Sequence, residues 1–83
     1  MELLINVFGA DRPGLVSEVT EVLYQHGANL GDMSMTRIGG RFALILGVSV
    51  DEDNVRNVTA DLDSYASDRD IEINSVSGDG FRS

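Results

Sequence analysis

Residues 29–50, NLGDMSMTRIGGRFALILGVSV, hold two strand patterns and the turn that joins them. From Arg41 to Val50, the apolar Phe42, Leu44, Leu46, Val48 and Val50 alternate with Ala43, Ile45, Gly47 and Ser49. That period of two predicts a strand with one strongly apolar face and one smaller, semi-polar face, both partly covered if the strand is central. Gly39-Gly40 is a two-residue hairpin signal, because both positions of the favoured tight turn take positive φ. Upstream, Asn29 to Ile38 reads as the partner strand, with Met33 and Met35 on one face and Asp32, Ser34 and Thr36 on the other. Leu30 is out of phase with the methionines, so a bulge is expected near Gly31.

Toward the amino terminus, Leu3, Ile5 and Val7 alternate with Leu4, Asn6 and Phe8 as a first strand. A turn follows at Gly9-Ala10-Asp11-Arg12-Pro13-Gly14. Pro13 suits the first position of a helix, where its missing N–H has no intrahelical partner to lose. The cap is then expected at Asp11 or Arg12, with Asp11 the better acceptor for the free N–H groups. Leu15, Val16, Val19, Val22 and Leu23 recur at three and four residues, while Ser17, Glu18, Thr20, Glu21 and Gln25 form a wet face. This is an amphipathic helix, and Gly27 is placed to end it in a left-handed conformation.

Toward the carboxyl terminus, Asp51-Glu52-Asp53-Asn54 places carboxylates where a helix dipole favours them. Val55, Val58, Leu62 and Tyr65 make the buried stripe of that second helix. Ser67 to Asp70 reads as a polar loop, Ile71 and Ile73 as a last strand, and residues 78–83 as a frayed tail. The order βαββαβ, with right-handed crossovers, lays both helices on one face of an antiparallel sheet ordered 4-1-3-2. The expected fold is α+β, a ferredoxin-like two-layer sandwich formed by residues 1–83 as one domain. The second and fourth strands are its edges. The face without helices carries Leu4, Phe8, Ala43 and Ile45 and offers a surface for association.

Composition narrows the function. The chain has 83 residues, a net charge of −8, six Arg, no Lys and no Cys. Absence of Cys removes disulfides, thiolate metal sites and cysteine nucleophiles. Net negative charge disfavours direct nucleic-acid binding. The first residues lack a signal-peptide pattern and no apolar stretch approaches membrane-spanning length, so the expected location is cytoplasmic, without membrane contact. Two readings of the Lys-free acidic composition stand side by side, adaptation to a high-salt cytoplasm and an Arg-biased genome. A domain this small buries about 60–65% of its unfolded surface, so oligomerisation is the expected support for its stability.

The turn Gly9-Ala-Asp-Arg-Pro-Gly-Leu-Val16 after the first strand, and Gly27-Ala-Asn-Leu30 opening the second, resemble the ACT domain family over nearly the whole chain. Asn29 to Gly47 is most similar to stand-alone ACT proteins and to glycine cleavage repressor-like proteins, which carry two such domains where this sequence shows one. The resemblance implies a ligand-sensing regulatory domain, without catalysis or cofactor. Its ligand would be an amino acid or a similar small molecule. It would act as a homodimer or higher homo-oligomer on a metabolic enzyme or transcriptional regulator.

The residues themselves agree with a ligand at the first turn. Gly9 and Gly14 permit close backbone approach, and the free N–H groups of Leu15 and Val16 suit a carboxylate. Asp11 and Asn29 suit an ammonium group, although capping competes for Asp11. The candidate binding residues are therefore Gly9, Asp11, Arg12, Pro13, Gly14, Leu15, Val16, Asn29 and Leu30. Asn29 begins the second strand, roughly 15–20 Å from its own turn. It reaches a turn only if two copies pair their second strands about a two-fold axis. The alternative reading is a protein–protein interaction module without ligand. His26, the single histidine, reads as helix-end chemistry rather than catalysis, and Asp51, Glu52 and Asp53 lack calcium-loop spacing. Met33 and Met35 fit a pocket wall and an interface equally well.

Overall fold

Apolar alternation dictates the centre of the molecule, as the computed structural model, which describes residues 1–77, shows. Strand β1 (Glu2–Ala10) turns Leu3, Ile5 and Val7 inward, and β3 (Arg41–Ser49) turns Phe42, Leu44, Leu46 and Val48 to the same side. Over them lie α1 (Leu15–Gln25), which buries Leu15, Val19 and Leu23, and α2 (Val55–Ser67), which buries Val58 and Leu62. Each such side chain contributes roughly 1.5–3 kcal/mol through its removal from water. These residues, with Ala28 and Val50, form one continuous core between the sheet and the helices.

Strands β2 (Asn29–Ile38) and β4 (Ile71–Ser77) complete an antiparallel sheet ordered β2-β3-β1-β4. This is the expected 4-1-3-2 arrangement, with β2 and β4 at the edges. The bulge is also present. Leu30 pairs with Val48 and Met33 with Leu46, so three steps along β2 match two along β3. The extra residue brings Leu30 and the methionines to the same face. Both hairpin glycines have positive φ, 58° at Gly39 and 79° at Gly40.

Two local expectations are corrected. Neither Asp11 nor Arg12 caps α1, and Pro13 is not its first residue. The N-cap is Gly14, left-handed at φ 81°, ψ 0°, with no side-chain cap. The glycine conformation lets the chain enter the helix two residues later than the proline signal suggested, and Asp11 is drawn elsewhere. The acidic run Asp51 to Asn54 is not the first turn of α2. Glu52–Asn54 form a separate 3-10 turn before α2 begins at Val55. The tail at 78–83 lies outside the described residues.

Candidate ligand site at the β1–α1 turn

The turn between β1 and α1 walls a hollow of about 370 Å³ lined by Asp11, Arg12, Pro13, Gly14, Leu15, Val16 and Ser17, with Met35 and Arg37 from β2. The helix enters it bare. Its first intrahelical bond runs from the Glu18 N–H to the Gly14 carbonyl at 2.9 Å, which leaves the N–H groups of Leu15, Val16 and Ser17 without intrahelical acceptors. No side-chain oxygen covers them.

Charged groups ring this end. Arg37 Nε lies 2.9 Å from Asp11 Oδ2, so the Asp11 carboxylate faces β2 and not the helix. The Asp11 N–H donates to the Gly40 carbonyl at 2.9 Å and ties the turn to the hairpin. Arg12 donates to both carboxylate oxygens of Glu18 at 2.9 and 3.1 Å. Glu18 also accepts the Tyr65 hydroxyl of α2, and the Arg69 guanidinium stacks 3.9 Å from the centre of the Tyr65 ring. The Tyr65 hydroxyl, helped by the Arg12 and Arg69 charges, holds the Glu18 carboxyl below its ordinary range. The Tyr65 phenol is pushed up to about 12, by desolvation first and by the Glu18 carboxylate second. Arg12 is thus held back from the helix start by an anionic anchor, while Arg37 and Asp11 present opposite charges beside the free N–H groups.

The sequence-derived residues fall into two places. Asp11, Arg12, Pro13, Gly14, Leu15 and Val16 share the turn hollow. Asn29 and Leu30 line a second hollow of about 510 Å³ at the opposite end of the sheet, with Glu2, Leu4, Gly31, Ile45 and Gly47 among its walls. Register makes the separation plain. Asn29 pairs with Ser49 and Ser49 with Glu2, whereas Arg37 pairs with Phe42 and Phe42 with Gly9. Gly9 lines neither hollow. A Cβ there would come within 2.5 Å of Ile71 Cγ2 and 2.6 Å of the Asp70 carbonyl oxygen, so its missing side chain makes room for the start of β4.

Ser17 and Arg37 are the turn-hollow residues the sequence reading missed, whereas Met35, read as fitting a pocket wall and an interface equally well, lines the hollow. The signal for Arg37 was present, since a tight turn at Gly39-Gly40 puts it level with the end of β1. The two methionines divide. Met35 packs on the core beside the turn hollow, while Met33 is exposed and lines the second one. His26 ends α1, and its ring Nε2 lies 2.5 Å from Asp61 Oδ2 of α2. Among the described residues no group of three His, Cys, Asp or Glu side chains is arranged to hold a metal ion, and no helix is long and apolar enough to cross a membrane.

Comparisons with known proteins agree with this fold. The chain is 40% identical over 52 residues to a UPF0237 protein of Methanopyrus kandleri, a match spanning 63% of this chain and 58% of that relative. An ACT domain protein from Streptococcus pneumoniae superposes with a TM-score of 0.83 at 26% identity, covering 100% of this chain and 96% of the other. A candidate glycine cleavage system transcriptional repressor superposes with a TM-score of 0.84 at 28% identity, covering 90% of this chain and 44% of its own. The family model for the ACT domain matches residues 2–75, and the chain belongs to that family.

Proposed function

We propose that this chain is a non-catalytic regulatory domain that binds an amino acid at the β1–α1 turn and acts through a homodimer on a partner enzyme or transcriptional regulator. The observation that carries the reading is the uncapped start of α1 behind a left-handed glycine. Three N–H groups at the positive end of a helix dipole suit the ligand carboxylate. Asp11 suits the ammonium group once it exchanges Arg37 for the ligand. Arg12, Pro13, Leu15, Val16, Met35 and Arg37 form the walls.

The remaining side of the site comes from a second copy. With β2 at the sheet edge, two copies pairing these strands about a two-fold axis bring the start of one β2 near the turn of its neighbour. Asn29 and Leu30 then close the partner's hollow. Each dimer holds two such sites. A ligand that binds only the assembled form stabilises it by mass action, by about 2.7 kcal/mol at one hundred times Kd.

A thermal-shift screen of the wild-type chain over the amino acids, with light scattering, tests the proposal. At least one amino acid is expected to raise the melting temperature by several degrees, and Asn29→Ala to reduce that rise. No rise with any amino acid would remove the sensing role. The alternative of an interaction module without ligand would then stand, supported by the apolar open face of the sheet.

A further inference from the structure

Among the described residues, one ion pair at the start of α1 has both its partners in the wall of the turn hollow. Arg12 lines the hollow but its partner Glu18 does not, and Arg41 and Asp70, 3.6 Å apart, both lie outside it. Asp11 and Arg37 both line it, and their carboxylate and guanidinium meet at 2.9 Å. The two are not equally free to move. Asp11 sits on a turn that its own N–H ties to the Gly40 carbonyl, and its side chain is 32% exposed. Arg37 stands on the edge strand β2 opposite the core residue Phe42, with a side chain 63% exposed. A ligand ammonium that takes Asp11 therefore turns Arg37 out of the pair, and Asp11 keeps its place.

That exchange leaves a charge unmatched. When the ligand is a neutral amino acid, its carboxylate meets the free N–H groups of α1 and its ammonium meets Asp11, so Arg37 has no counter-charge within the hollow. A second carboxylate on the ligand supplies one. A second ammonium does the opposite, because Arg12 and Arg37 both line the hollow and Asp11, its one carboxylate, is already engaged. The hollow is also of a suitable size. At about 370 Å³ it falls near the lower end of the ~300–1,000 Å³ of small-molecule sites.

We infer that the hollow selects a dicarboxylic amino acid, aspartate or glutamate, and that Arg37 is the residue that reads its side-chain carboxylate. This selectivity rests on the proposed amino-acid site and names the class of side chain that site prefers. Arg37 then has two positions, on Asp11 when the hollow is empty and on the ligand when it is filled. Acidic amino acids rank first, neutral ones second and basic ones last. A dicarboxylate without an ammonium group, such as glutarate, binds outside this series, since it offers Asp11 nothing in place of Arg37.

Calorimetric titration of the wild-type chain, Arg37→Gln and Arg37→Lys with glutamate, glutamine, aspartate, asparagine, lysine and glutarate, at one ionic strength, tests the preference. Arg37 lies outside the core, so both variants keep the fold. The wild-type chain is expected to bind one acidic amino acid about fivefold more tightly than its amide, the upper end for an ion pair open to water. Arg37→Gln should abolish that ratio and bind the amides at least as tightly as the wild-type chain does, because Asp11 no longer has a competitor. Arg37→Lys keeps the charge without the planar fork and should retain part of the ratio. Amides that bind the wild-type chain as tightly as the acids, or an acid preference that survives in Arg37→Gln, overturn the inference and leave the amino-acid site standing. Glutarate binding as tight as that of glutamate would make the hollow a simple anion site and overturn it as well. Binding of no amino acid overturns both the selectivity and the site.

Discussion

The two helices begin in opposite ways. Before α2, the chain makes a 3-10 turn in which the Asn54 N–H donates to the Asp51 carbonyl at 2.8 Å, and Asp51, Glu52 and Asp53 bring negative charge to the positive end of the dipole. Asn54 then turns its side chain away to donate to the His26 carbonyl at 2.9 Å, locking the end of α1 to the start of α2. Before α1 there is none of this. Gly14 has no side chain, Asp11 is paired with Arg37, and the nearest carboxylate, Glu18, is held by Arg12 and Tyr65. Neither start has a side-chain cap, but one is preceded by a carboxylate-rich 3-10 turn and the other lies among guanidinium groups. In the proposed reading, that difference is why the ligand carboxylate is assigned to α1 and not to α2.

Substitution at the two cap positions separates them most strongly. Gly14→Val forces a β-branched residue into φ 81°, a conformation costing about 1–3 kcal/mol. Urea unfolding should show a stability loss of that size, and any amino-acid-dependent stabilisation should vanish with it. At the other helix start, Asn54→Ala removes two side-chain hydrogen bonds, the one to the His26 carbonyl and a longer, exposed one from Asn57, and no backbone strain. It is expected to cost about 1 kcal/mol, mostly from the His26 carbonyl left without its donor, with ligand response retained. Equal losses from both substitutions, or a retained ligand response in Gly14→Val, would break the contrast.

Most of this arrangement was legible because it follows from periodicity. The inward row Phe42, Leu44, Leu46 and Val48 and the glycine pair at 39–40 were sufficient to fix the hairpin, and the phase conflict of Leu30 with Met33 located the bulge. What periodicity does not reach is competition between partners. Asp11 is an excellent cap by type, yet Arg37 takes it, because β2 register delivers a guanidinium to the end of β1. Gly9 read as a ligand-facing glycine, yet Ile71 and Asp70 fill the space above it. Both outcomes depend on residues from strands remote in sequence, whose approach is set by sheet order. The turn residues were therefore nominated by motif, whereas the pairing of Arg37 with Asp11 became visible only in the fold.

Titration sharpens the comparison with the smallest effect. Glu18 is the anchor that holds Arg12 off the open helix start, and Tyr65 is its largest support. The folded Glu18 carboxyl sits below its unfolded value of about 4.3. Its contribution is present above that pH and is lost as pH falls through the lower, folded value. The Tyr65 phenol is shifted the other way, from 10 to about 12. Its contribution is complete below pH 10 and disappears as pH rises through about 12. Tyr65→Phe should thus lower the melting temperature by a few degrees at neutral pH and flatten both limbs. The effect is small because Glu18 is solvent-exposed, where water and salt screen the pairing. Melting curves from pH 3 to pH 12 in both chains give the measurement. Identical limbs in the variant would show that Glu18 is anchored by Arg12 and Arg69 alone, and that α2 has no part in keeping the start of α1 open.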